Sequence, residues 1–124
     1  MLFMRPMKET DSFPGLAGPE SGELYFVALN GDTLEGWCRY RKEGDTVHIL
    51  EIRDGGDLML MDGLLRAVFN YMEEIGVDRA QLSPELDAAR LKALMVPVDG
   101  KNCVNSIKDF LYNCKKCKML GNHL

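Results

Sequence analysis

Long apolar runs are missing from this 124-residue sequence. Stretches such as 24–29 and 58–61 are only a few residues each, far short of the ~20 that a membrane-spanning helix needs. A basic excess is missing too. The 15 Lys and Arg are outnumbered by 19 Asp and Glu, giving a net charge of -4, a balance that disfavours non-specific attraction to nucleic acid or to an anionic membrane surface. The first residues carry Arg5 and Lys8 but no apolar stretch of signal-peptide length. Four cysteines without an export signal read as reduced thiols, so the expected compartment is the cytoplasm. What is present is ordinary for a folded domain: 46% hydrophobic and 27% charged residues, enough for one core in a chain of this length but not for two.

The chain divides by composition into three parts. Residues 1–22 are rich in glycine, proline and charge, with breakers at Pro14-Gly15 and Gly18-Pro19, and are expected to be irregular or ordered only by packing on the rest. From residue 23 to 113 the patterning is that of a domain. Residues 24–29 form an apolar, partly aromatic run closed by Asn30-Gly31, a strong hairpin signal. A second strand is predicted over 33–41, with Leu34, Gly36, Cys38 and Tyr40 on one face and Glu35, Trp37, Arg39 and Arg41 on the other. A turn at 42–45 leads to a third strand at 46–52. Met61, Leu64, Leu65, Val68, Phe69, Met72 and Ile75 then recur at three- and four-residue steps, which predicts the longest helix. Asp57 or Asp62 can cap its start, and Gly76 stands where a C-terminal cap glycine belongs. Residues 77–82 read as a strand returning parallel to the sheet, 85–95 as a shorter helix stopped by Pro97, and 105–113 as a last helical or irregular turn. Residues 114–124 form a basic tail around Cys114-Lys115-Lys116-Cys117.

The segment 25–37, Tyr-Phe-Val-Ala-Leu, Asn-Gly-Asp, then Leu34-Glu35-Gly36-Trp37, resembles the second and third strands of the GNAT superfamily of acyl-coenzyme A N-acyltransferases, including a glycine early in the third. Residues 46–52 resemble its fourth strand, and Leu64-Leu65-Arg66-Ala67-Val68 the body of the helix that follows. The resemblance covers residues 23–96. It implies an α+β fold: a mixed, mostly antiparallel sheet with a β-α-β unit and a long helix on one face. It also implies acetyl-coenzyme A as the ligand to consider.

The family's pyrophosphate-binding motif, Arg/Gln-x-x-Gly-x-Gly/Ala, lies between that fourth strand and the helix. Small residues there let the backbone amides approach the phosphates at a helix N-terminus. Ungapped alignment puts Gly56, Met59 and Met61 at its three defined positions, and all three depart from it. Arg53, Gly55, Gly56, Met59, Met61 and Arg66 are the residues that would line a cofactor site. Asp54, Asp57 and Asp62 surround the place of the phosphates. A carboxylate about 6 Å from one phosphate charge costs roughly 2–3 kcal/mol at an effective dielectric near 20, and Arg53 and Arg66 offset part of that. The alternative reading is that the aspartates cap the helix themselves. The tyrosine that often serves the family as general acid aligns near Lys92. Glu51 is the nearest candidate for a general base. Residues 1–22 are too short for the family's first strand and paired helices, so the acceptor side would come from a partner chain.

The tail offers Cys114 and Cys117 at a spacing that can hold one edge of a zinc ion, and Cys103 with His123 would complete four ligands. A redox pair is the other chemistry open to Cys114 and Cys117. Trp37 beside Arg39 and Arg41 offers a small face for an aromatic or anionic partner, whereas His48 reads as a packed strand residue. Three functional readings follow: a degenerate GNAT relative that serves as a binding or assembly module, as a homodimer built through sheet edges or the Trp37 face; an active acyl-coenzyme A-dependent N-acetyltransferase acting on an amine, with Glu51 as base; and a zinc-binding or redox role of the tail.

Overall fold

A computed structural model describes residues 2–16, 18 and 20–112. Six strands form one sheet in chain order: β1 (Leu2–Pro6), β2 (Glu23–Asn30), β3 (Thr33–Glu43), β4 (Thr46–Arg53), β5 (Arg79–Leu82) and β6 (Cys103–Val104). Every neighbouring pair is antiparallel except β4 and β5. That parallel pair is joined by α1 (Leu58–Glu74), and α2 (Ala88–Ala93) and α3 (Ile107–Tyr112) follow β5 and β6. The two hairpins and the β-α-β unit expected from the sequence are thus present.

Helix α1 starts where Asp57, in extended conformation, accepts hydrogen bonds from the N–H groups of Met59 and Leu60, satisfying two donors that the first helical turn cannot pair internally. It stops where Gly76 adopts φ +87°, a conformation glycine takes at little cost. Its buried stripe of Leu60, Met61, Leu64, Leu65, Val68, Phe69 and Met72 packs on Phe26, Ala28, Cys38, Tyr40, Val47 and Ile49 of the sheet. Burial pushes the pKa of the Cys38 thiol and of the Tyr40 phenol well above their usual ranges. Cys38 is accordingly an inert core residue.

Gly36 decides how closely β4 and α1 approach β3. A Cβ there would stand 2.5 Å from the Arg53 carbonyl oxygen and 3.0 Å from a Leu60 methyl, so only glycine lets the end of β4 and the first turn of α1 settle on the sheet.

Of the two courses expected for the N-terminal segment, its first residues take the one ordered by packing on the rest. Residues 2–6 form an edge strand on β2, because Met4 packs against the core beside Gly63 of α1. On the opposite face Arg5 holds Asp11 through two hydrogen bonds of 2.6 and 2.9 Å. Breakers at 14–19 and the proline at position 6 hid this strand from pattern reading. The family's first strand therefore has an equivalent, and no paired helices follow it among the described residues. Strand β6 was also not foreseen. Its two residues give the pattern too little length to register.

Candidate functional site

Strands β4 and β5 pair only from Thr46↔Arg79 to Ile49↔Leu82, with a last backbone hydrogen bond from Ser83 to Ile49. Beyond it β4 runs on to Arg53 without β5 beside it, while a register shift between Arg39 and Tyr40 on β3 bends it. The gap that opens is bounded by the 54–57 loop, the N-terminus of α1 and helix α2. Of the site residues proposed from sequence, Gly55 and Gly56 lie in this loop and Met59 in the first turn of α1.

In the loop, Asp54 is a buried carboxylate. One of its oxygens accepts from the Gly56 N–H at 2.9 Å and its carbonyl accepts from the Asp57 N–H at 3.0 Å. Both carboxylate oxygens also bind Nη1 of Arg90, at 3.1 and 2.9 Å. Arg90 reaches across from α2, so this ion pair ties the loop before α1 to the helix after β5, over the gap. Its Nη2 is buried and has no hydrogen-bond partner among the described residues. Gly55 and Gly56 hold φ +63° and +86°, which gives the loop the tight course that turns the Asp54 carboxylate back onto the Gly56 amide.

This cradle does not fit a pyrophosphate. The amides of Gly56, Asp57, Met59 and Leu60 already have acceptors, three of those four bonds ending on carboxylate oxygens of Asp54 and Asp57. The acceptors are themselves anionic, and an incoming anion would have to displace them. The aspartates thus take the capping role weighed from sequence. Asp62 does not cap. It binds Arg66 one turn along the helix at 2.9 Å, and the Arg66 guanidinium lies 4.6 Å from the centre of the Phe110 ring, turned to α3.

Two further expectations change position. Met61 is 2% exposed and belongs to the core, because it falls on the buried stripe of α1, whereas Met59 is 71% exposed. An open cleft of about 1040 Å³ lies between the end of β5, α2 and α3, lined by Leu82, Leu86, Leu91, Met95, Val98 and Phe110 among others. Its α2 wall, residues 88, 91 and 92, is distinct from the side that sends Arg90 to Asp54. Arg53 turns away from the loop and stands 5.8 Å from the Trp37 ring centre.

Glu51 faces the sheet surface opposite α1, directly across from Arg39. Its carboxylate contacts Arg39 at 3.3 Å and Arg53 at 3.9 Å, and Arg39 in turn binds both oxygens of Glu23 at 3.0 Å. On the same face Arg41 and His48 pair with Glu43 at 2.9 and 3.2 Å. The surface around Trp37 is therefore a ladder of matched charges, and Trp37 itself meets Tyr25 edge-on at 5.3 Å. Ion pairs, rather than helices, finish this side of the sheet.

Among the described residues, no group of three or more His, Cys, Asp and Glu is placed to hold a metal. Cys103 contacts the Gln81 side-chain oxygen at 2.9 Å, while Cys114, Cys117 and His123 lie outside the described residues. Arg90 is the residue that sequence reasoning missed. Its signal was slight, an arginine three residues after the Asp87 cap of α2.

No family model matches the sequence. Its fold, however, is shared with solved acetyltransferases. The E. coli protein YhhK, solved bound to coenzyme A, is 12% identical with a TM-score of 0.64, covering 86% of this chain and 98% of that one. The ribosomal-protein-S18-alanine N-acetyltransferase of E. coli is 17% identical, TM-score 0.60, over 77% and 74%. A GNAT family acetyltransferase of Elizabethkingia anophelis with acetyl-CoA bound is 12% identical, TM-score 0.58, over 76% and 72%. At these identities the likeness is one of fold: the chain has the GNAT α+β fold, as the strand and helix patterns led us to expect. No helix among the described residues is long and apolar enough to cross a membrane.

Proposed function

We propose that this chain is a GNAT-fold binding or assembly module whose cofactor groove has been taken over by its own side chains. The observation that carries this reading is the Asp54–Arg90 pair, which spans the gap between β4 and β5 while Asp54 and Asp57 occupy the loop amides. Breaking such a pair by removing one partner leaves a charge in a poorly solvated place, so a phosphate ligand would have to offset that cost before gaining anything. Glu51 supports the same reading. As a base it would give up contacts with two guanidinium groups, and the position that aligns with the family's general acid holds a lysine, Lys92. The partner of such a module is a protein rather than a nucleic acid, given the net charge of -4, and a homodimer is the simplest assembly. A cytoplasmic location suits the unpaired thiols of Cys38 and Cys103.

One observation favours an active N-acetyltransferase: the separation of β4 from β5 is kept, leaving the end of β4 beside an open gap where an amide-bearing arm such as pantetheine could add in extended form. Amide NMR spectra of labelled protein distinguish the two readings. On addition of acetyl-coenzyme A to millimolar concentration, the signals of residues 54–60 and of Arg90 are expected to stay in place. Saturable movement of those signals would favour the transferase and remove the closed-groove reading.

A further inference from the structure

We infer that the free edge of β1 is the surface through which two copies of this chain pair, extending the sheet about a two-fold axis. The inference rests on the assembly reading above and adds where the contact lies. The sheet has two edges. At one, β6 is two residues long, and Val104 is flanked by a bridge to Val98, so little ladder is open there. At the other, β1 pairs only with β2 among the described residues, and its outer side offers backbone groups for another strand, except at Pro6, which has no N–H and whose carbonyl accepts from Arg5 Nη1 at 3.0 Å.

Proteins usually blunt such an edge with charge, proline or a bulge. Here Pro6 closes one end, the β1–β2 ladder shows no register shift, and the only charge on the strand, Arg5, is matched by Asp11. Two copies can therefore approach without bringing uncompensated like charges together. Leu2 and Phe3 are 47% and 48% exposed although they sit in a paired strand, so apolar surface waits at the edge on both faces of the sheet. Further along, Leu24 and Tyr71 are exposed as well. They lie close to the Pro6 end, since Pro6 pairs with Phe26 and the Tyr71 ring is 6.2 Å from that of Phe26.

Antiparallel self-pairing centred on Met4 places Leu2 of one copy opposite Pro6 of the other and Phe3 opposite Arg5. Such a contact is isologous and closes at two copies. The Trp37 face is the less suitable surface, because its charges are already matched within the chain. A five-residue edge with its apolar flanks is at the small end of stable interfaces, so association in the range of about 1–100 μM is expected.

Sedimentation velocity of the full chain across that range tests the proposal. The expected result is a concentration-dependent rise toward twice the 14.0 kDa chain mass. The double variant Leu2→Lys/Phe3→Lys, in which both altered side chains are exposed and the second places a lysine opposite Arg5 of the other copy, should stay monomeric with an unchanged melting temperature. A chain that is monomeric at every concentration, or a dimer that survives the double variant intact, overturns the inference. Neither result bears on coenzyme A binding, and acetyl-coenzyme A binding by a protein that still dimerises through β1 would overturn the closed-groove reading alone.

Discussion

At the scale of single residues, the closed-groove reading proposed above rests on ion pairs made by the chain with itself. Asp54 is buried, and its carboxylate serves Arg90 and the Gly56 amide together. Asp54→Asn removes the charge and is expected to destabilise the protein by about 1–3 kcal/mol in urea unfolding. A double-mutant cycle with Arg90→Gln should return a coupling of at least about 1 kcal/mol. Additive effects would mean that the pair is incidental. Asp11 makes a pH prediction. Its carboxyl is held down to about 2, chiefly by the hydrogen bond from Arg5 and then by the Lys8 amide, against an ordinary value of 3.8. Stabilisation from this carboxylate is therefore complete above about pH 4–5 and is lost as the pH falls toward 2. Protection of the amides of residues 2–11 against hydrogen exchange, each referred to the intrinsic rate at its pH, should fall across that window, and Asp11→Asn should remove the acid dependence.

At the scale of elements, strands β2, β3 and β4 and helix α1 were legible because each has a period that burial enforces. Alternation along β3 separates Cys38 and Tyr40 from Trp37 and Arg39, and the α1 stripe recurs from Leu60 to Met72. Strand β1 was not legible, since its order comes from Met4 under α1 and from Arg5 on Asp11, contacts far outside any local window. The site was legible in part. The sequence offered the aspartates both as a barrier to phosphate and as caps, and the capping role holds for Asp57 and for the Gly56 amide of Asp54. Arg90 lies 36 residues away from Asp54, and no spacing rule connects the two. Met61 was misplaced because motif alignment counts positions, whereas the helical period turns that side chain inward. The caps yield their own test: Asp57→Ala should cost about 1 kcal/mol of stability through loss of the two amide bonds at the start of α1. Gly36→Ala should cost more, at least about 2 kcal/mol, because the obstructing atom is a backbone oxygen that cannot turn aside. Equilibrium unfolding of the two variants checks both values.

At the scale of the whole molecule, the chain has the GNAT fold, and the closed-groove reading proposed above rests on contacts that surround its core. The sheet, α1 and the parallel return of β5 make one hydrophobic body. Around it, the face opposite α1 is finished by matched charges, and the gap between β4 and β5 is spanned by Asp54 and Arg90. In both places the charged side chains meet one another inside the chain. Thermal-shift titration with acetyl-coenzyme A, using pantetheine and ATP as controls, tests this account most directly, since a ligand that binds only the native state must raise the melting temperature. The account predicts no saturable shift up to millimolar acetyl-coenzyme A. A saturable rise specific to acetyl-coenzyme A would contradict it, and would mean that the Asp54–Arg90 pair opens to admit the cofactor.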